Sequence, residues 1–423
     1  MLEPQSTLLF LLLLVVFVGL VAWMALARQP VFRVLAACLA FIPAMLFGVA
    51  AVNKYYDYYQ TWGAAISDLT GGGAGNAPKF TAGGVNGKQN IEKDISQNTN
   101  QVVDSQVGLE YPIRITGTQS HLTRDVYIYL PPQYFQAAYA NYHFPVVELL
   151  HGSPGSPTAW VDVLNVIPTF LHLMAIGQAQ PAVLVMPDTD GGLRYSLQCL
   201  NYPGGIQDMS FVARDVPAAV SKLFRVQPPG KAWGVAGYSE GGYCAANIAL
   251  NVPDGYGYAG VLSGYFIPGP SQLPIDGKPN GKPVKERPFT KFPGLMIQNS
   301  PLLYVTKIPT NVLLPQFWLA AGQNDHGDVA TAASFRQLLG LRQANVTLFT
   351  PPGGHTGSVW RASLSPMLTW MTPQLAEQAQ LADQIAAHKH PLPAGSQPGA
   401  KPAGRPGKQA TAKATPHPAQ HRK

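Results

Sequence analysis

The residues that can do chemistry cluster around one serine. Val235-Ala236-Gly237-Tyr238-Ser239-Glu240-Gly241-Gly242 is entered by an apolar run, KAWGVA, and left by a helical pattern, YCAANIALNV. A G-x-S-x-G segment in that context spells a sharp strand-to-helix turn that exposes the serine hydroxyl. Small residues are needed at Gly237 and Gly241, because side chains there would collide with neighbouring chain. The helix start beneath the turn adds positive potential for a developing oxyanion. A serine at its free pKa is a poor nucleophile and needs a base and an orienting acid. On this kind of turn they follow the serine, acid first and histidine last. Phe317–Ala321 is an apolar strand running into Gly322-Gln323-Asn324-Asp325, and Val346–Phe349 is another, running into Pro351-Pro352-Gly353-Gly354-His355-Thr356-Gly357. Asp325 and His355 are therefore the expected acid and base, with Asp328 close enough to be the acid instead. His326 is expected to be exposed.

A second small-residue turn, His151-Gly152-Ser153-Pro154-Gly155, follows the apolar Val146–Leu150. Its backbone N–H groups suit an oxyanion site, with Ser153 and Glu240 as the expected donors. His151 precedes the serine, which does not fit the order for a base, and is read as shaping the loop. There is no CxxC, HExxH or carboxylate cluster, so neither a metal nor a cofactor is expected.

Elements must position these residues. Apolar runs at Arg124–Leu130, Pro145–Leu150, Ala182–Pro187, Ala232–Ala236, Tyr258–Leu262, Phe317–Ala321 and Val346–Phe349 alternate with helical patterns. Several are almost continuously apolar, as strands covered on both faces are. The alternation predicts an α/β domain over 108–374 with a mostly parallel sheet, interrupted by a Pro- and Lys-rich insertion at 266–310 near the site mouth. A Gly/Asn/Gln-rich segment, 63–107, reads as a flexible stalk lifting the domain off a membrane. A short helix is expected at 375–387, and a disordered tail from 388 to 423.

The amino end is apolar. Thr7–Ala27 and Val34–Asn53 are uncharged runs of 21 and 20 residues, each long enough to cross about 30 Å of hydrocarbon. The loop between them carries Arg28 and Arg33, which places it in the cytoplasm and both flanks outside. Tyr55, Tyr56, Tyr58, Tyr59 and Trp62 form an aromatic belt, so residues 1–62 read as a transmembrane hairpin. Ala25-Leu26-Ala27 also fits a signal-peptide cleavage pattern, and Leu35-Ala36-Ala37-Cys38 a lipoprotein box. Cys38 lies in the second run, which leaves Cys199 and Cys244 as an even pair in an outward-facing domain and a disulfide candidate.

Composition agrees: 46% hydrophobic and 12% charged residues exclude a mainly disordered chain. The net charge of +7 belongs to the tail, where Lys389, Lys401, Arg405, Lys408, Lys413, Arg422 and Lys423 meet no acid; without these 7 of 29 basic residues, 22 face 22 acidic ones. The folded part is thus neutral, and nucleic acid is not an expected partner. Anionic envelope polymer is, weakly and in a salt-dependent way.

With these residues placed, the chain resembles the esterase D-like branch of the α/β-hydrolases, which includes feruloyl and acetylxylan esterases, S-formylglutathione hydrolase and secreted mycolyltransferases. The resemblance runs through Val126–Phe135, Phe144–Gly155, Val235–Ala245, Trp318–Asp325 and Gly353–Trp360. It implies an α/β-hydrolase fold behind the hairpin, with Ser239 as nucleophile, Asp325 as acid, His355 as base, and oxyanion donors at Ser153 and Glu240. Membrane-anchored forms with an outside domain look like actinobacterial proteins. The mycolyltransferases carry Asp at the position of His151, Arg at that of Pro154, and Glu as the acid, which argues against trehalose-dependent mycolyl transfer. The expected function is a membrane-anchored, extracytoplasmic serine esterase acting on an envelope lipid or glycan ester. An acyltransferase with the same triad, and a catalytically dead binding module, are the alternatives.

Overall fold

The computed structural model describes residues 2–69, 79–81, 106–191, 196–269, 289 and 292–389. Two helices open the chain, α1 (Thr7–Leu26) and α2 (Pro30–Tyr56), and both are long and apolar enough to cross a membrane. They pair antiparallel, as the contacts of Phe10 with Phe47 and Trp23 with Phe32 show. Of their residues, Ala36, Ala40, Pro43 and Ala50 of α2 are buried, and none of α1 is. Small residues let the helices approach, and the apolar surface left uncovered suits a lipid surround.

Next come α3 (Trp62–Leu69) and the short strand β1 (Lys79–Thr81). All but Trp62 of these two elements falls inside the expected stalk, which thus carries secondary structure in its described parts; residues 70–78 and 82–105 lie outside the described residues. Nor does a stalk separate hairpin from catalytic domain. The domain already touches the chain at Asp57 and Tyr58, through Arg361 and Tyr238. Linker composition carried no sign of this docking because it occurs before the linker begins.

The remaining strands are β2 (Leu109–Thr116), β3 (Thr123–Leu130), β4 (Val146–Leu150), β5 (Val183–Pro187), β6 (Gly230–Tyr238), β7 (Tyr256–Leu262), β8 (Gln316–Ala320) and β9 (Val346–Phe349). They form one sheet in the order β1-β2-β3-β5-β4-β6-β7-β8-β9. β2–β3 and β3–β5 are antiparallel, and the other pairs are parallel. β2 is absent from the sequence reading although its residues alternate buried and half-buried, because Pro112 has no N–H for a ladder and argues against a strand. Among the described residues, β1 pairs with β2 at Arg114–Thr116, beyond the proline.

Helices flank the sheet: α4 (Val166–Ala175), α5 (Val216–Leu223), α6 (Glu240–Asn251), α7 (His326–Gly340) and α8 (Gly357–Lys389). Alternate residues of each strand feed two cores. Val146, Val235 and Phe317 join Tyr243 and Phe335 on one face. Val147, Ala236, Tyr238 and Trp318 join Trp160, Trp360, Met367 and Met371 on the other. Every residue of β4 and β5 is buried, which is why they read as continuous apolar runs. This two-sided, mostly parallel sheet is the expected α/β architecture.

Two boundaries need correction. The helix expected at 375–387 is the second half of α8, which runs unbroken from Gly357. Pro366 and Pro373 read as breaks in the sequence, but the helix absorbs them, and Leu375, Ala376 and Ala379 continue into the core. The chain divides into units Met1–Asp383 and Gln384–Lys423, and the described part of the second is the end of α8. The basic tail from 390 onward lies outside the described residues. The insertion at 266–310 is partly core: Phe266 stacks on Phe335 at 4.2 Å, and Leu295 and Val305 are buried. Its residues 270–288 and 290–291 lie outside the described residues.

Cys199 and Cys244 are joined by a disulfide with Cα atoms 5.6 Å apart, while Cys38 is free. The bond ties the loop after β5 to α6, one turn past Ser239. Reduction is expected to lower stability by about 2–4 kcal/mol. Thermal unfolding with and without reductant measures this; two newly titratable thiols with an unchanged midpoint would count against it.

Candidate active site

Ser239 caps α6 with φ 54° and ψ −120°. A non-glycine residue pays about 1–3 kcal/mol in such a region, and the surrounding packing must hold it there. The neighbours show how. A Cβ on Gly237 would lie 2.0 Å from the Gly241 carbonyl oxygen, and one on Gly241 would lie 2.2 Å from that of Leu150. The turn therefore closes only with glycine at both positions, and closing it projects the hydroxyl outward.

His355 stands in the loop after β9, half-buried, with Nε2 3.0 Å from Ser239 Oγ. Its other nitrogen, Nδ1, lies 2.9 Å from Asp328 Oδ2 and 3.1 Å from Asp325 Oδ2. In the tautomer protonated at Nδ1, the ring donates to a carboxylate pair and accepts a hydrogen bond from Oγ at Nε2. Asp325 follows β8 and caps α7, its Oδ1 accepting the Asp328 N–H at 3.2 Å. Serine, histidine and carboxylates thus meet at the C-terminal ends of β6, β8 and β9, where open α/β sheets build sites. Asp325, Asp328 and His355 also form the one cluster of three His, Cys, Asp or Glu side chains among the described residues with ligand atoms within 4.8 Å of one another. Their mutual hydrogen bonds account for that closeness.

Opposing influences set the histidine's pKa. Burial lowers it, but the hydrogen bond and charge of Asp328, then those of Asp325, outweigh burial and raise it above the usual value. His326 is exposed.

The His151–Gly155 turn packs directly on Ser239. A Cβ at Gly152 would lie 2.8 Å from the Tyr238 ring and 3.3 Å from Ser239 Cβ. Ser153 is the next residue of this turn. Glu240 is the first residue of α6, and its N–H is one of the four that a helix start leaves unpaired. His151 is buried; Nδ1 meets the Gly152 carbonyl at 2.8 Å and Nε2 accepts from the Thr189 N–H at 3.0 Å. It holds the turn by these bonds.

Sequence reasoning used only the backbone of Glu240. Its carboxyl is buried and accepts the Gln198 N–H at 2.9 Å. Burial first, then the nearby Asp190, pushes its pKa up to about 8. It links the Cys199 loop to the elbow beside the disulfide. Trp360 was also passed over. Its ring meets His355 edge-on at 5.4 Å and lies over Tyr238 at 4.6 Å. It lies in the first turn of α8, a few residues past the histidine, and that nearness in sequence is the only local signal it gives.

A family described as "Putative esterase" matches residues 121–371. The chain belongs to this esterase family. The matched region holds Ser239, Asp325, Asp328 and His355, and leaves out the hairpin, β1 and β2. An uncharacterised protein of Corynebacterium glutamicum is 26% identical over 275 residues, covering 63% of this chain and 62% of that protein. The chain thus spans about 62% of the length of the curated relative it matches. Among solved structures, a ferulic acid esterase superposes with a TM-score of 0.50 at 20% identity, over 63% of this chain and 98% of that one. An S-formylglutathione hydrolase of Staphylococcus aureus does so with a TM-score of 0.50 at 16% identity, over 62% and 98%. At such identities these likenesses establish the α/β-hydrolase fold of the esterase domain.

Proposed function

We propose that this family member is a membrane-anchored serine esterase. The observation that carries the reading is the relay from carboxylate pair to His355 to Ser239, with 3.0 Å between Nε2 and Oγ, on a strained elbow. Oγ attacks the ester carbonyl while Nε2 takes its proton. The carbonyl oxygen becomes an oxyanion held by the Ser153 and Glu240 N–H groups and by the start of α6. Collapse breaks the ester C–O bond, His355 returns the proton to the departing alcohol, and an acyl-Ser239 remains. Water, activated by the same imidazole, then releases the carboxylic acid and restores Oγ–H. Asp325 and Asp328 hold the ring and stabilise the imidazolium.

The hairpin supplies the location in this reading. Arg28 and Arg33 keep the short loop in the cytoplasm, and the catalytic domain faces outward, which suits a disulfide. The substrate class is a cell-envelope lipid or glycan ester, with the basic tail in contact with anionic envelope polymer.

The test uses the full chain in detergent with a p-nitrophenyl ester series and a fluorophosphonate probe. Turnover together with labelling at Ser239 is expected. Absence of both would show a binding module instead, and a new acyl-sugar product with added sugar acceptor would show transfer instead of hydrolysis.

A further inference from the structure

The segment after the second apolar helix is built into the site. Asp57 ends α2 in a left-handed conformation, φ 50°. Its carbonyl oxygen accepts from Arg361 Nη2 at 3.0 Å, and its carboxylate pairs with the same guanidinium. Arg361 Nη1 donates to the Val163 carbonyl at 3.0 Å, so the cation is held from both sides. The approach is close enough that a Cβ on Gly357 would lie 2.2 Å from the Asp57 oxygen. Gly357 is two residues past His355. Tyr58 reaches the other turn: its hydroxyl is 2.9 Å from that of Tyr238, the residue before Ser239. The Tyr58 ring meets Trp360 edge-on at 6.1 Å, and Trp360 in turn meets His355.

The strap is itself rigid. Asn53 brackets Tyr59, accepting its N–H at 2.8 Å and donating to its carbonyl at 2.9 Å. Tyr59 donates to Asp68 at 2.6 Å, and Gln60 to Asp57 at 2.7 Å. Two residues beyond α2 thus touch both the turn that carries the serine and the helix start that follows the histidine. The region that matches the esterase family begins at residue 121, so this strap is an addition to it.

We infer that Asp57 and Tyr58 are positioning residues of the active site, which hold the Ser239 and His355 turns in register and fix the site to the end of α2. The inference rests on the esterase reading. The transfer from Oγ to Nε2 works only at hydrogen-bond distance, and misplacement by about 1 Å from a remote change can cost about a hundredfold in rate. Neither strap residue reaches the reacting atoms; both act through Tyr238, Trp360 and Arg361.

The experiment measures p-nitrophenyl butyrate turnover by the full chain in detergent, normalised to Ser239 sites titrated with a fluorophosphonate. Tyr58→Ala is expected to lower kcat per titrated site by about ten- to a hundredfold, with KM unchanged. Tyr58→Phe keeps the ring against Trp360 and is expected to restore most of that loss. A purely structural role would instead reduce the number of titratable sites and leave each surviving site at full rate, which would overturn the inference. Arg361→Lys, which loses the paired grip on Asp57, is expected to lower kcat per site in the same way and serves if Tyr58→Ala does not fold. A wild type that turns over beside variants of unaltered kcat per site overturns this inference alone. A wild type with neither turnover nor labelling overturns the esterase reading and this inference with it.

Discussion

Ser239→Ala is expected to lower ester turnover by about four to six orders of magnitude and to abolish fluorophosphonate labelling. The size follows from the geometry. The hydroxyl lies 3.0 Å from the imidazole and at the start of α6. What would remain is the contribution of the oxyanion donors and of substrate binding, which act without a nucleophile. The variant should keep its fold. Alanine carries the same Cβ into the same φ of 54°, so the backbone strain is unchanged, and the packing of Gly237 and Gly241 that imposes it is untouched. The loss therefore belongs to chemistry, and a thermal midpoint near that of wild type checks this. Retained turnover in Ser239→Ala would place the nucleophile elsewhere and end the serine-esterase reading.

What the sequence could show depended on whether the signal was local. Ser239, Asp325 and His355 each follow an apolar strand within a few residues, so strand pattern and polar type together point at them. The cysteine pair stood out because the third cysteine lies in an apolar run. β2 keeps its alternation, but Pro112 within it argued against a strand, and α8 was divided because two prolines outweighed its apolar spacing. The strap at Asp57 and Tyr58 had no local signal at all. Its partners lie 304 residues away at Arg361 and 180 residues away at Tyr238, and only the folded chain brings them together. The tyrosines read as an interfacial belt for a sound reason, and the structure gives one of them a second task. The two carboxylates at His355 were likewise both legible, but their division of labour depends on distances that spacing does not fix.

That division yields the second large effect. Asp325 uses one oxygen to cap α7 and the other, at 3.1 Å, for His355, while Asp328 lies nearer, at 2.9 Å. One N–H shared between two carboxylates means that either can hold the ring when the other is neutralised. Asp325→Asn and Asp328→Asn alone should each cost far less than the about 10⁴-fold loss that follows removal of a lone orienting carboxylate. The double variant should approach that full loss, a non-additivity expected of groups that share a partner. The pH profile separates the two acids. His355 must be neutral to accept the serine proton, and its pKa is raised, with Asp328 the larger influence. Activity is therefore lost as pH falls through a value above about 6.5. Removing a carboxylate charge lowers the histidine's pKa, so the acid limb of kcat/KM moves to lower pH, and further in Asp328→Asn than in Asp325→Asn. Asp325→Asn retains an oxygen to cap α7, so a fall in its rate would not come from an unwound helix. If Asp325→Asn alone produced the full loss and Asp328→Asn left both rate and limb in place, Asp325 would be the sole acid. Asp328 would then be a bystander held near the ring by the cap.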